Sequence, residues 1–383
     1  MKTTDENGSH ENAFPNKGSQ KYGLLCIDGG GARGVIAAEI IRILEEKLNK
    51  TPPKQSKRKF HELFDLAGGC STGGILMLSS MLRGTSGEDL VKLYKNLAEV
   101  VFPRKMFPGL YSTIRLEELL KEHFGYLAMQ PCTDSPKVFV VTKRGRETLP
   151  CLLQNYEPHG DLNGECGWKC FKAALATSAA PTYFEPVMHN SIDYTDGGVG
   201  FNNPIQLLVS EALQLLISDN HMTDPIKSIA YIVSIGTGDM PPLETLRKPI
   251  HRVHVILLGL CIPPVAIAIR FLSLLSSFFA VSSPIVAWAL YRMEFIEHLI
   301  GLKRSVDLTV EQVTETRHAH VQWQIICKKL NIPYFRFNPM LDGQYDLSDT
   351  KNIQKWIETT KTYMEDSPTV ENVDELCRLF RQR

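Results

Sequence analysis

Twice in the first eighty residues of this 383-residue chain, a short apolar run stops at glycines and a helix-period pattern begins. The first run, Leu24-Leu25-Cys26-Ile27, ends in Asp28-Gly29-Gly30-Gly31-Ala32-Arg33-Gly34; Ile36, Ile40, Ile41, Leu44 and Leu48 follow at helical spacing. The second, Phe64 to Ala67, is closed by Gly68 and Gly69, and the uncharged stretch from Ile75 to Leu82 follows. Buried strand, tight turn and helix, in that order, are the building unit of a parallel sheet. The pattern continues. Strands are expected at Val138–Thr142, Cys151–Asn155, Ile229–Ile235 and Tyr334–Phe337. Helices are expected at 87–99, 114–124 (Ser112 or Thr113 as N-cap), 169–177, Pro204 to 216, about 309–330, 348–364 and 367–382. Alternation of this kind predicts an α/β fold around a mainly parallel central sheet. The composition, 43% hydrophobic and 22% charged, is that of a globular protein. The 42 basic and 42 acidic residues cancel, which argues against nucleic acid as a partner.

The two turns carry different chemistry. Gly29, Gly31 and Gly34 satisfy G-x-G-x-x-G. A dinucleotide site also needs an acidic residue ending a second strand about 20 residues later. That position falls near Lys54, in the basic loop Thr51–Lys59, and no Gly-Lys-Ser/Thr follows to make a P-loop. Gly69-Cys70-Ser71-Thr72-Gly73 is G-x-S-x-G between a strand and a helix, the pattern of a nucleophile elbow. Small residues allow the sharp reversal, which holds the Ser71 hydroxyl out over the positive end of the next helix. If both turns lie at one sheet edge, the first offers the N–H groups of Gly30, Gly31 and Ala32 to an oxyanion. A serine nucleophile needs a base. His61, His123, His251 and His254 are poorly placed, while His159 and His189 are loop residues. Asp196, in the turn Asp196-Gly197-Gly198, is the stronger candidate, with Asp193 its competitor. A carboxylate becomes an adequate base for serine when water is excluded and the pair is held within reach.

These residues together resemble the patatin-like phospholipase family. The carrying segments are Asp28–Gly34, Gly69–Gly73 and Asp196–Gly198, with Ser178-Ala179-Ala180-Pro181-Thr182-Tyr183-Phe184 and Ser234-Ile235-Gly236-Thr237-Gly238 also similar to family segments. They occur in the family's order over about 24–240, and a weaker likeness including Tyr334-Phe335-Arg336-Phe337 extends to about 365. The resemblance implies a three-layer patatin-like fold and a serine–aspartate dyad without histidine, metal or cofactor. It implies calcium-independent hydrolysis of lipid acyl esters. Ser71 would be the nucleophile, Asp196 the base, and Gly29–Gly34 the oxyanion hole, with Arg33 organising that turn. Triacylglycerol lipase and acyltransferase chemistry would share the same acyl-enzyme. The reading of a different class is a membrane-docked scaffold with a vestigial site.

One region departs from the average composition. Val255–Tyr291 is 37 residues long, 27 of them apolar by count, with Arg270 its one charge and basic residues on both sides. It reads as buried core, as a membrane-spanning helix, or as an interfacial or re-entrant anchor. Pro263, Pro264, Pro284 and five serines from 271 to 291 weaken the spanning reading. The organisation expected is therefore a flexible tail at 1–20, a catalytic domain at 21–245, an apolar membrane-facing insert at 246–300, and a helical part at 301–383 completing the catalytic domain. Nine irregularly spaced cysteines without paired C-x-x-C units point to no zinc site and to a reducing compartment. Residues 1–20 are polar, without a signal-peptide core. The expected location is intracellular, on the cytoplasmic face of a membrane.

Overall fold

The computed structural model describes residues 21–50, 58–103, 111–131, 136–158, 163–220, 224–241 and 316–382. The expectations for the tail at 1–20, the apolar block at 255–291, and His159, His251 and His254 lie outside these described residues.

Among the described residues nine strands form one sheet: β1 (Tyr22–Ile27), β2 (Leu66–Cys70), β3 (Lys137–Arg144), β4 (Pro150–Gln154), β5 (Asn163–Glu165), β6 (Val187–His189), β7 (Ile192–Asp196), β8 (Ile229–Ile235) and β9 (Tyr334–Phe337). The main path runs β5-β4-β3-β2-β1-β8-β9. From β3 to β9 every neighbour pair is parallel; β4 is antiparallel to β3, and β5 is parallel to β4. The helices are α1 (Gly34–Lys50), α2 (Thr72–Met81), α3 (Gly87–Val101), α4 (Thr113–Phe124), α5 (Cys170–Thr177), α6 (Gly198–Phe201), α7 (Ile205–Asn220), α8 (Arg317–Leu330), α9 (Ile353–Glu365) and α10 (Ser367–Gln382).

Alternation along the strands sorts the core into two layers. Leu25 and Ile27 of β1 face one side with Val233 of β8 and Phe337 of β9, under α1, α2, α9 and α10. Leu24 and Cys26 face the other side with Leu66, Phe139 and Ile232, under Ile205, Leu208, Ala212 and Leu215 of α7 and Cys327 of α8. The result is the three-layer arrangement expected, helices on both faces of a mainly parallel sheet.

Two details depart from the sequence reading. β2 lies at Leu66–Cys70, with its glycines inside the strand rather than closing it. The ring of Phe139 on β3 lies over Gly68, so close that a Cβ there would stand 2.3 Å from its edge. The hairpin β6–β7 is absent from the sequence reading; its strands are only three and five residues long, too short for a clear alternation. The N-cap of α4 is Ser112, whose hydroxyl accepts from the Arg115 N–H.

The sheet draws on both sides of the apolar block. β9 pairs in parallel with β8, from Ile232 opposite Tyr334 to Ile235 opposite Phe337. From β9 the buried Arg336 reaches the buried carboxylate of Asp28, where the first glycine turn begins. Arg336 Nη1 donates to Asp28 Oδ1 at 3.0 Å and to Ser234 Oγ at 2.8 Å, and Nη2 donates to Asp28 Oδ2. Burial works against the guanidinium charge, but Asp28 holds it firmly ionised.

Candidate active site

The turn after β2 is the elbow that the motif implies. Ser71 adopts φ 53° and ψ −125°, outside the regions comfortable for a side-chain-bearing residue. This reversal lets α2 begin at once with Thr72. Gly73 lies against the end of β1; a methyl group on it would stand 2.2 Å from the Ile27 carbonyl oxygen. The Ser71 N–H donates to Thr177 Oγ1 at 3.0 Å, and that hydroxyl donates onward to the Val141 carbonyl at 2.6 Å. The strained residue is therefore fixed from α5 and β3 as well as by its own chain.

Register brings Asp196 to the elbow. Along β3, Val141 pairs with Cys70, the last residue of β2. The next residue, Thr142, pairs with Asp196, the last residue of β7. β7 thus runs head-on toward the end of β2 along the same edge of β3. The residue after Cys70 is Ser71, and both Ser71 and Asp196 line one cavity. Asp193 is exposed and does not line it.

Asp196 is buried, and burial raises its carboxyl pKa to about 6 from an ordinary 3.8. The Ser71 hydroxyl, the Gly198 N–H and the Cys70 thiol oppose that rise. Gly198 donates to Oδ1 at 2.7 Å, and the Cys70 sulfur lies 3.6 Å from the same oxygen. The carboxylate is thus short of water but supplied with donors, and it remains ionised at pH 7.

The first glycine turn lies beside the elbow. Thr72 Oγ1 donates to the Gly31 carbonyl at 2.8 Å, which ties the two turns together. Gly31 has φ +58°, a left-handed conformation that glycine adopts without strain. Four of the turn's amides are engaged, that of Gly34 with the Ala32 and Gly31 carbonyls. Gly29 N–H donates to the Asn202 carbonyl, Ala32 N–H to the Leu347 carbonyl at 2.7 Å, and Arg33 N–H to the Gly30 carbonyl. Gly30 and Gly31 line the cavity with Ser71. Of the three amides expected from sequence, Ala32 is the one that Leu347 occupies. The Arg33 side chain donates to the Gly238 carbonyl at 3.3 Å, linking this turn to the one after β8.

Away from Ser71 the cavity is apolar. Ile75 of α2, Leu97 and Val101 of α3, Leu116 of α4, and Phe102 and Phe184 line it. Phe102 packs against Phe184 at 5.9 Å, and Tyr111 stacks on Tyr183 at 6.3 Å. A polar end bearing hydroxyl, carboxylate and amides thus leads into a greasy channel, which suits an ester with a long hydrocarbon chain.

Among the described residues no histidine lines this cavity. His123 contacts Ser79, and burial lowers its pKa to about 4. His189 lies on Trp168 with ring centres 4.0 Å apart. No cluster of metal-ligating side chains is present among the described residues. No helix among them is long and apolar enough to cross a membrane. Sequence reasoning assigned no role to Thr177, Asn202 or Thr237. The signal for Thr237 was present in Ser-Ile-Gly-Thr-Gly, a third glycine turn after a third buried strand; Thr177 carries no comparable signal.

The family model described as patatin-like phospholipase matches residues 25–209. The human calcium-independent phospholipase A2-gamma is 30% identical over 234 residues, covering 56% of this chain and 28% of that protein. The mouse 85/88 kDa calcium-independent phospholipase A2 is 27% identical over 348 residues, covering 86% of this chain and 37% of that protein. A cGAMP-activated phospholipase from Escherichia coli (strain TW11681) is 30% identical over 225 residues, covering 56% of this chain and 61% of that protein. This chain therefore spans less than two thirds of each of these relatives.

Proposed function

We infer that this chain, which belongs to the patatin-like phospholipase family through residues 25–209, hydrolyses acyl esters of phospholipids or lysophospholipids through Ser71 and Asp196. One observation carries the reading: adjacent positions on β3 lay the ends of β2 and β7 against each other, so that Ser71 and a buried, ionised Asp196 share an apolar cavity.

Asp196 accepts the proton of Ser71 as the hydroxyl oxygen attacks the ester carbonyl. The Gly30 and Gly31 amides and the N-terminus of α2 stabilise the oxyanion that forms. Collapse of this intermediate expels the alcohol, which takes its proton from Asp196. Asp196 then deprotonates a water molecule that attacks the acyl-enzyme, and a fatty acid is released. Calcium plays no part in these steps. The channel lined by Leu97, Val101, Leu116 and Phe184 holds the acyl chain. The lipid is drawn from a membrane surface on the cytoplasmic side.

Labelling with a fluorophosphonate probe tests the nucleophile. The unaltered protein should be labelled and should release fatty acid from mixed phospholipid vesicles, and Ser71→Ala should do neither. A folded Ser71→Ala protein that kept unaltered turnover would refute the assignment. Asp196→Asn, with Asp193→Asn as its control, tests the base: the first should lose turnover and the second keep it.

A further inference from the structure

The turn after β8, Gly236-Thr237-Gly238, touches the first glycine turn from behind. Thr237 is buried and does not line the cavity, so it cannot meet a substrate. Its hydroxyl donates to the Gly29 carbonyl at 2.7 Å, across 208 positions of sequence. The Asn202 amide reaches the same oxygen more weakly, at 3.5 Å. Thr237 is itself held on both sides. The Gly236 N–H donates to the Phe337 carbonyl at 2.9 Å, and the Gly238 N–H donates to Asn338 Oδ1 at 2.7 Å.

The contact falls on one particular peptide group. The carbonyl of Gly29 and the N–H of Gly30 belong to the same planar unit and point in opposite directions. A donor that holds the Gly29 oxygen on one side therefore turns the Gly30 N–H to the other side. That side is the cavity, which Gly30 lines with Ser71. Glycine on both sides of this peptide makes its rotation less costly than at most positions, so the direction needs an outside anchor. The two turns also abut: a Cβ on Gly30 would stand 2.2 Å from Thr237 Oγ1.

We propose that Thr237 is a positioning residue of the oxyanion hole, its hydroxyl aiming the Gly30 N–H at the oxygen of the reacting carbonyl. The inference rests on the hydrolase reading above. It gives the third glycine turn a function: β8 supplies no reacting group, but it sets the direction of one donor.

The test compares Thr237→Val, Thr237→Ala and Thr237→Ser with the unaltered full chain on a p-nitrophenyl acyl ester, and follows thermal unfolding of each. Loss of one oxyanion donor lowers kcat by about 100- to 1,000-fold, and a donor left present but unaimed should lose part of that, about 10- to 100-fold. Thr237→Val and Thr237→Ala should show this fall in kcat with KM nearly unchanged. Thr237→Ser, which keeps the hydroxyl and drops the methyl group, should stay close to the unaltered protein. If Thr237→Val does not fold, Thr237→Ser against Thr237→Ala carries the same comparison. Full kcat in a variant without the hydroxyl, or equal losses in all three, would overturn the inference. Because the unaltered chain and Ser71→Ala are run alongside, absence of Ser71-dependent turnover would show that the hydrolase reading has failed, and this inference with it.

Discussion

The two glycine turns at the candidate site end neighbouring parallel strands, yet glycine serves each differently. At the elbow the strained conformation falls on Ser71, a residue with a side chain, and its glycine neighbours are needed because backbone crosses within touching distance. In the first turn the left-handed conformation falls on Gly31, and the glycines leave backbone amides uncovered. One turn presents a side chain and is held by its own five residues, by the Thr177 hydroxyl and by the end of β1. The other presents backbone and is shaped by contacts from Thr72, Asn202, Thr237 and Leu347. A projecting side chain can be written in a short motif, whereas the direction of an amide depends on contacts from distant segments.

Substitutions can break this comparison. Gly73→Ala should have the largest effect. Its methyl group meets the carbonyl oxygens of Ile27 and Asp28 at 2.2 and 2.6 Å, and backbone cannot rotate away as a side chain can. Turnover should fall by at least about 100-fold with a clear loss of stability, since overpacking typically costs about 1–3 kcal/mol. Steady-state kinetics and urea unfolding would check both. Gly30→Ala meets only the Thr237 side chain, so it should reduce kcat severely while costing less stability. If Gly30→Ala proved the less stable of the two, the distinction between a turn packed on backbone and one packed on a side chain would fail.

The external anchors extend to the far edge of the sheet. Arg336→Met leaves the buried Asp28 carboxylate without its partner, and such a loss typically costs about 3–5 kcal/mol. Chemical denaturation should show that loss. Asp28→Asn combined with Arg336→Met should recover part of it, because no buried charge is then left unpaired.

The smallest effects concern pH. Asp196 acts as a base only when ionised, and its carboxyl pKa lies at about 6. Turnover should therefore halve near pH 6 and fall about tenfold for each further unit of acid. Stability should move the other way. Because the folded-state pKa is raised, the folded protein binds this proton more tightly than the unfolded chain does. That contribution is fully present below about pH 4 and is lost as pH rises through 6. Asp196→Asn should therefore stabilise the fold at pH 7.5, by up to about 3 kcal/mol, and offer no gain at pH 4. A pH-independent difference in urea midpoint would show that the carboxylate is not under this strain.

Much of this was legible in the sequence, for a physical reason. β1, β8, β9 and α1 are written as apolar runs and helical periods, which depend on neighbours along the chain. Ser71 was legible because an elbow is a local object. Spacing alone does not separate Asp196 from Asp193; the pairing of β7 with β3 puts Asp196 beside the end of β2, and a short strand gives little warning of its partner. Thr177 and Thr237 make hydrogen bonds to backbone 106 and 208 positions away; a third glycine turn marks Thr237, but nothing in the local sequence announces Thr177 or names either partner.

Strand β3 contributes no reacting group, yet it works as a ruler. Cys70 and Asp196 are read against consecutive marks on it, Val141 and Thr142. The marks are spaced at about 3.3 Å, and successive ones face opposite sides of the sheet. The separation of Ser71 and Asp196 can therefore change only in whole steps, and one step carries the carboxylate to the wrong face. A single-residue insertion in β7 should abolish turnover outright.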